Sequence, residues 1–179
     1  FKVIIKVQPE ATIDLTAISS DYTVTDRDVQ LSTPICAGAG GDPDYDEHNT
    51  PGNGVLLSTL ANPAEDKVVE FALTSIEINA AADGLGTTLT NITRASDAAG
   101  TASNYTGGST TFADNSTLKE FYYNNEAVVA YVIYTLVPQL DNAGGTMDMC
   151  EGNPFRVIIP VEPRADVDFS DVHADYTIS

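Results

Sequence analysis

FKVIIKVQPEATIDLTAISSDYTVT occupies residues 1–25, and FRVIIPVEPRADVDFSDVHADYTIS occupies residues 155–179. The two stretches align without a gap at an offset of 154, and 11 of 25 positions are identical. The identities include Phe1/Phe155, Pro9/Pro163, Asp14/Asp168 and Asp21-Tyr22-Thr23/Asp175-Tyr176-Thr177. Lys2/Arg156, Ile13/Val167 and Val24/Ile178 are conservative pairs. A period of 154 is far longer than a solenoid repeat, so each unit is expected to be a domain in a tandem array. Residues 1–9 then read as the terminal strand of a preceding unit. Residues 10–163 read as one complete unit with a core of about 28–163, and residues 164–179 as the start of the next. On this reading the chain, which opens on Phe1 inside an apolar run, is a piece of something longer. The competing reading is two similar strands within one domain. It has to account for a match that continues through the turn.

Between the copies, strand signals dominate. Runs rich in Val, Ile, Thr and Tyr are separated by clusters of Gly, Asn, Asp and Pro. Expected strands are Phe1–Val7, Asp28–Ser32, Gly54–Leu60, Lys67–Ile78, Thr87–Ile92, Thr117–Tyr123, Ala127–Val137 and Phe155–Val161. Ala127–Val137 carries no charge on either alternating face and reads as a central strand. The stretch after Asn62-Pro63 is ambiguous: Pro suits a first helical position, and Val69, Ala72, Leu73 and Ile76 fall at helical spacing. Its β-branched and aromatic content favours a strand. Gly38–Gly54 and Asp97–Gly108 read as loops. The fold class expected is all-β, an antiparallel sandwich of many short strands. Nothing alternates with helices, which excludes a doubly wound nucleotide fold.

Eight Lys+Arg against 26 Asp+Glu give a net charge of -18. Such a chain repels phosphate backbones and anionic lipid, so nucleic acid and membrane-surface partners are disfavoured. No apolar run reaches the roughly 18 residues of a spanning helix, so no membrane insertion is expected. The acidity suits solubility in a salty or extracellular setting, as the low Lys content also does. Alternatively, some of the carboxylates hold calcium.

The order of several short motifs carries a resemblance. Ile35-Cys36-Ala37-Gly38 opens the unit. Val132-Ile133-Tyr134-Thr135-Leu136-Val137-Pro138 follows, then Cys150-Glu151-Gly152, then the alternating strand Phe155–Pro163. From Cys36 to Pro163 this layout resembles the PKD-like, immunoglobulin-type tandem repeats of giant surface adhesins of gliding bacteria. Such repeats often carry a Trp in an early strand. This chain has none, and Phe71 is its stand-in. The connection from Pro9 to Cys36 is also longer than the pattern leads one to expect. The resemblance implies an immunoglobulin-like sandwich, type IX secretion, cell-surface display and a role in adhesion or gliding motility. Its partners would be neighbouring repeats and an extracellular surface or polysaccharide ligand. In such an exported chain Cys36 and Cys150 would form a disulfide, stabilising by roughly 4–5 kcal/mol on a chain-entropy argument. Two buried free thiols are the alternative. Neither cysteine lies in a C-x-x-C pair, so a structural zinc site is unsupported.

Catalytic signatures are absent from the sequence: no nucleophile elbow, H-E-x-x-H or phosphate loop occurs. His48 lies in a polar loop, and His173 is matched by Ser19 in the other copy. An enzyme is therefore not expected, and no cofactor is required. Calcium is the sharper candidate. Asp42, Asp44, Asp46 and Glu47 alternate in a Gly-rich loop, but they are out of register with an EF-hand. At the joint between units, Asp14 and Asp21 recur as Asp168 and Asp175. The segment Ala-x-Ile/Val-Asp-Leu/Phe after each Pro alternates, so one face is expected to pack and Asp14 or Asp168 to face away. Asn91, Asn104 and Asn115 fit the glycosylation pattern and are read as coincidence in a bacterial chain. Two rival classes are an accessory or carbohydrate-binding module beside a polysaccharide hydrolase, and a pilus subunit completed by a donated strand.

Overall fold

Thirteen residues from Ala130 to Asn142 carry no charge before Asp141 and form the strand around which the chain is organised. A computed structural model describes residues 1–5, 10–35, 55–59, 67–95, 105–106, 111–118, 121–142 and 150–163. Among them lie a single 3-10 turn, Leu15–Ala17, and these strands: β1 (Tyr22–Thr25), β2 (Asp28–Leu31), β3 (Val55–Leu57), β4 (Lys67–Asn79), β5 (Ile92–Ala95), β6 (Tyr105–Thr106), β7 (Thr111–Ala113), β8 (Ser116–Leu118), β9 (Phe121–Asn124), β10 (Ala130–Asn142), β11 (Cys150–Glu151) and β12 (Phe155–Val161). The protein is thus all-β and mostly antiparallel.

The large sheet runs β1-β2-β12-β10-β4-β6, with β7 also on β4 and β11 also on β10. β12 pairs antiparallel with β10, Phe155 opposite Leu136 and Val161 opposite Ala130, as expected for the repeated strand. On its other side β12 pairs in parallel with β2. Two short ladders, β3-β8 and β5-β9, lie outside this sheet. They are joined to it by side chains and turns. The Tyr122 and Tyr134 hydroxyls bond to each other, and the Asn124 amide donates to the Val161 carbonyl at 2.8 Å. At Asp114-Asn115 the chain leaves β7 on the large sheet and enters β8. Asp114 N donates to Val69 O, and Asn115 N, at φ 62, donates to Leu57 O.

The core lies between these elements. Val132, Tyr134 and Leu136 of β10, Phe155, Val157 and Ile159 of β12, and Val29 and Leu31 of β2 are all buried there. Phe71 is fully buried, edge-to-face on Phe155 with ring centroids 6.1 Å apart. The opposite face of the sheet buries Ile133 and Ile158. The 80–91 segment folds back here: Arg156 donates to the Asp83 carbonyl, and Gly84 sits close to the Ile133 side chain.

Several expected boundaries move. β10 continues through Pro138 to Asn142, past the expected stop at Val137. Proline removes one donor, but the Pro138 carbonyl accepts from Gly152 N on the β11 side. N and O of one strand residue point the same way, so the missing donor faces away from the β4 ladder. β4 is a strand, as favoured, with a bulge: Thr135 faces Ser75 while Leu136 faces Leu73. Thr74 is the extra residue, and its hydroxyl donates to the Thr135 carbonyl. The expected strand Thr87–Ile92 is corrected to Ile92–Ala95. Within the former stretch, Thr88 forms only an isolated bridge to Asn79, because the Asn79 side chain holds a turn there. It donates to Gly84 O and Gly86 O and accepts from Ala81 N. Thr117–Tyr123 is divided between β8 and β9, and Tyr105–Thr106, expected in a loop, pairs with β4. The expected strand at Phe1–Val7 is not formed over Phe1–Ile5. Those residues have no ladder partner and Phe1, Val3, Ile4 and Ile5 are exposed.

Candidate functional site

The two ends of the β10-β12 ladder are where the chain arrives and leaves, so any joint between units is built from them. At the incoming pole, Glu10 and Ala11 lie against Gly152 and Asn153. Asn153 Nδ2 donates to Glu10 Oε1 at 2.7 Å, and Gly152 N donates to Pro138 O at 2.7 Å. The Ala11 carbonyl lies so close to the Gly152 Cα that no side chain fits there. This explains the Gly of the C-x-G motif by backbone approach. The segment is fixed from the other side too. Asp14 N donates to Ser58 O, and Thr59 Oγ1 donates to Thr12 O at 2.7 Å. Ala11 is fully buried, and Ile13 and Leu15 pack against the core half-buried. The alternation read from the sequence thus packs one face, and the segment is no free tether.

Asp14 caps the 3-10 turn. Its Oδ1 accepts from Thr16 N at 2.9 Å and Thr16 Oγ1 at 2.6 Å. Those bonds, to the hydroxyl first and then the backbone, hold its carboxyl below the usual range. Asp21 Oδ2 accepts from Ser19 Oγ at 3.0 Å, and its carbonyl accepts from Ser32 N. Both joint carboxylates are therefore used in local turns. Among the described residues no group of three or more His, Cys, Asp or Glu is arranged to hold a metal. Asp42, Asp44, Asp46, Glu47, Asp168 and Asp175 lie outside the described residues, as do His48 and His173.

Tyr22, beside Asp21 in the repeated Asp-Tyr-Thr, is buried with no hydrogen-bond partner for its hydroxyl among the described residues. Burial, and secondarily the Asp21 charge, pushes its pKa up to about 12. The repeated cation at position 156 is also explained. Arg156 makes a two-pronged bond to Asp28, Nε to Oδ1 at 2.8 Å and Nη2 to Oδ2 at 2.5 Å, tying β12 to β2. The Asp28 carboxylate in turn raises the Arg156 pKa. Lys2 holds the matching position in the first copy.

At the outgoing pole, Ile35 N donates to Pro160 O and Glu162 N donates to Ile35 O, both within 2.9 Å. Asn124 closes this end: its amide donates to Val128 O and Val161 O, and its oxygen accepts from Glu126 N. Sequence reading missed Asn124, because a lone Asn at a strand end looks like any turn residue. Cys150, exposed, pairs with Leu140 at the incoming end of β10. Cys36 lies outside the described residues; the residue before it, Ile35, bridges Val161 at the outgoing end.

No family model, curated protein or solved structure matches this chain.

Proposed function

We propose that this chain carries one unit of a tandem array of immunoglobulin-like, PKD-like β-sandwich domains in a surface-displayed adhesin. The observation that carries the reading is the separation of the two poles combined with the repeat. The chain arrives at the Gly152 end and leaves at the Val161 end of one long ladder. The departing strand has its copy at Phe1–Val7, immediately before the arriving segment. Units with opposite poles string head to tail into a filament, whose task is mechanical: to project from the cell and link it to an extracellular surface or polysaccharide. The two short ladders outside the large sheet, whose Val55, Leu57, Leu118, Ile92 and Tyr122 share one core with it, support the sandwich. No catalytic group enters this account, and calcium at the joints is an optional stiffener.

The test is the full-length gene product and its place on the cell. Many copies of the unit, antibody labelling of intact cells and loss of attachment on deletion are expected. A single copy beside a hydrolase domain would replace this reading with that of an accessory module.

A further inference from the structure

We infer that Phe1–Ile5 is a docking strand that seats in the preceding unit of the array, between that unit's counterparts of β10 and β2. This rests on the tandem-array reading above. The segment has no ladder partner within this unit, and Phe1, Val3, Ile4 and Ile5 are each at least 70% exposed. Four large apolar side chains this close together and open to water mark a surface that something else covers. The repeat shows what kind of cover. Phe155, Val157, Ile158 and Ile159 are the same residue types in the same order, and each is no more than 2% exposed.

The slot that buries the second copy has a defined geometry. β12 lies between β10, to which it is antiparallel, and β2, to which it is parallel. Phe155, Val157 and Ile159 enter the core, where Phe155 meets Phe71 edge-to-face. Ile158 is buried on the opposite face of the sheet. Phe1–Ile5 suits such a slot because it is apolar on both alternating faces, Phe1, Val3 and Ile5 on one and Ile4 on the other. A sheet open to water on one face would leave Ile4 uncovered. The one polar residue fixes the register. Arg156 reaches across to the Asp28 carboxylate on β2, and Lys2 stands at the same position of the first copy. It offers a single ammonium to an acidic residue at the Asp28 place of the preceding unit. A slip of one residue would turn Lys2 into the core and Phe1, Val3 and Ile5 out of it. The main-chain ladder supplies the affinity of such a strand addition, and the alternating side chains its specificity. A lipid surface is a poorer partner, because anionic headgroups repel a chain of net charge -18.

The test is hydrogen–deuterium exchange, read by mass spectrometry, on the full-length protein from its native cells with the 179-residue chain beside it. In the full-length protein the amides of Lys2–Ile5 are expected to be as protected as those of Arg156–Ile159. In the 179-residue chain they are expected to exchange freely while Arg156–Ile159 stays protected. Lys2→Glu in the full-length protein should speed exchange of this strand several-fold, and Lys2→Arg should not. Free exchange of Lys2–Ile5 in a full-length protein that does carry a preceding unit, or indifference to Lys2→Glu, would overturn the docking and leave the array standing. Protection that appears in the 179-residue chain and grows with its concentration would assign the strand to a second copy and overturn the docking likewise. A full-length protein with no preceding unit would overturn the array reading first, and the docking with it.

Discussion

Replacing Gly152 by Ala perturbs the incoming pole at a single atom. An added Cβ would overlap the Ala11 carbonyl oxygen and stand 2.9 Å from the Ala11 carbonyl carbon and 3.3 Å from the Pro138 oxygen. All of these are backbone atoms, so nothing can swing aside as a side chain would. Either the Glu10–Ala11 segment lifts off, or the β11 end moves and loses the bond from Gly152 N to Pro138 O. Overpacking costs about 1–3 kcal/mol, and one lost hydrogen bond adds roughly 1 kcal/mol. Gly152→Ala should therefore destabilise by ~2–4 kcal/mol, lowering Tm by about 5–15 °C for a domain of this size. Urea unfolding followed by circular dichroism measures it. Asn153→Ala is the control, since it removes only an exposed bond and should cost less than ~0.5 kcal/mol. A Gly152→Ala variant within ~0.5 kcal/mol of the parent would refute the close packing of the arriving segment.

Asn124→Ala should cost ~2–4 kcal/mol in urea unfolding, because it strands the buried Val161 carbonyl and frees the Glu126 turn. The folded Tyr22 pKa lies above the ordinary value of 10.0, at about 12, so the folded state holds that proton more tightly. Stability should be level below pH ~10 and fall as pH rises from there toward ~12, and Tyr22→Phe should flatten that fall and match or exceed the parent's stability at neutral pH. Asp28→Asn breaks a pair that is one-third exposed on each side; a loss of ~0.5–1 kcal/mol is expected, shrinking in 1 M salt.

The strand-rich class and the pairing of Phe155–Val161 with Ala130–Leu136 were legible because period-two alternation survives wherever a strand stays in register. The helix-like spacing of Val69, Ala72, Leu73 and Ile76 has a physical origin in the β4 bulge. Buried positions run 69, 71, 73 and then 76, 78, so the extra residue at Thr74 shifts the phase by one and imitates a helical face. Thr87–Ile92 was misjudged because β-branched content does not reveal the Asn79 amide that holds the preceding turn. The extent of β10 was misjudged because proline was read as a stop, without knowing which way its nitrogen faces. At the candidate site the alternation after Pro9 located the packed face, Ala11 with Ile13 and Leu15. The local capping of Asp14 by Thr16 and the backbone approach at Gly152 are contacts that spacing does not encode.

The central claim is that units string head to tail through opposite poles, and its most direct measurement is the axial spacing of the full-length filament by cryo-electron microscopy. The thirteen residues of β10 span the unit from pole to pole, which at ~3.4 Å per residue is about 44 Å. With a packed joint, the account predicts one density repeat every ~45–50 Å for each 154 residues of chain. Units packed side by side, or a spacing well below the length of β10, would contradict it.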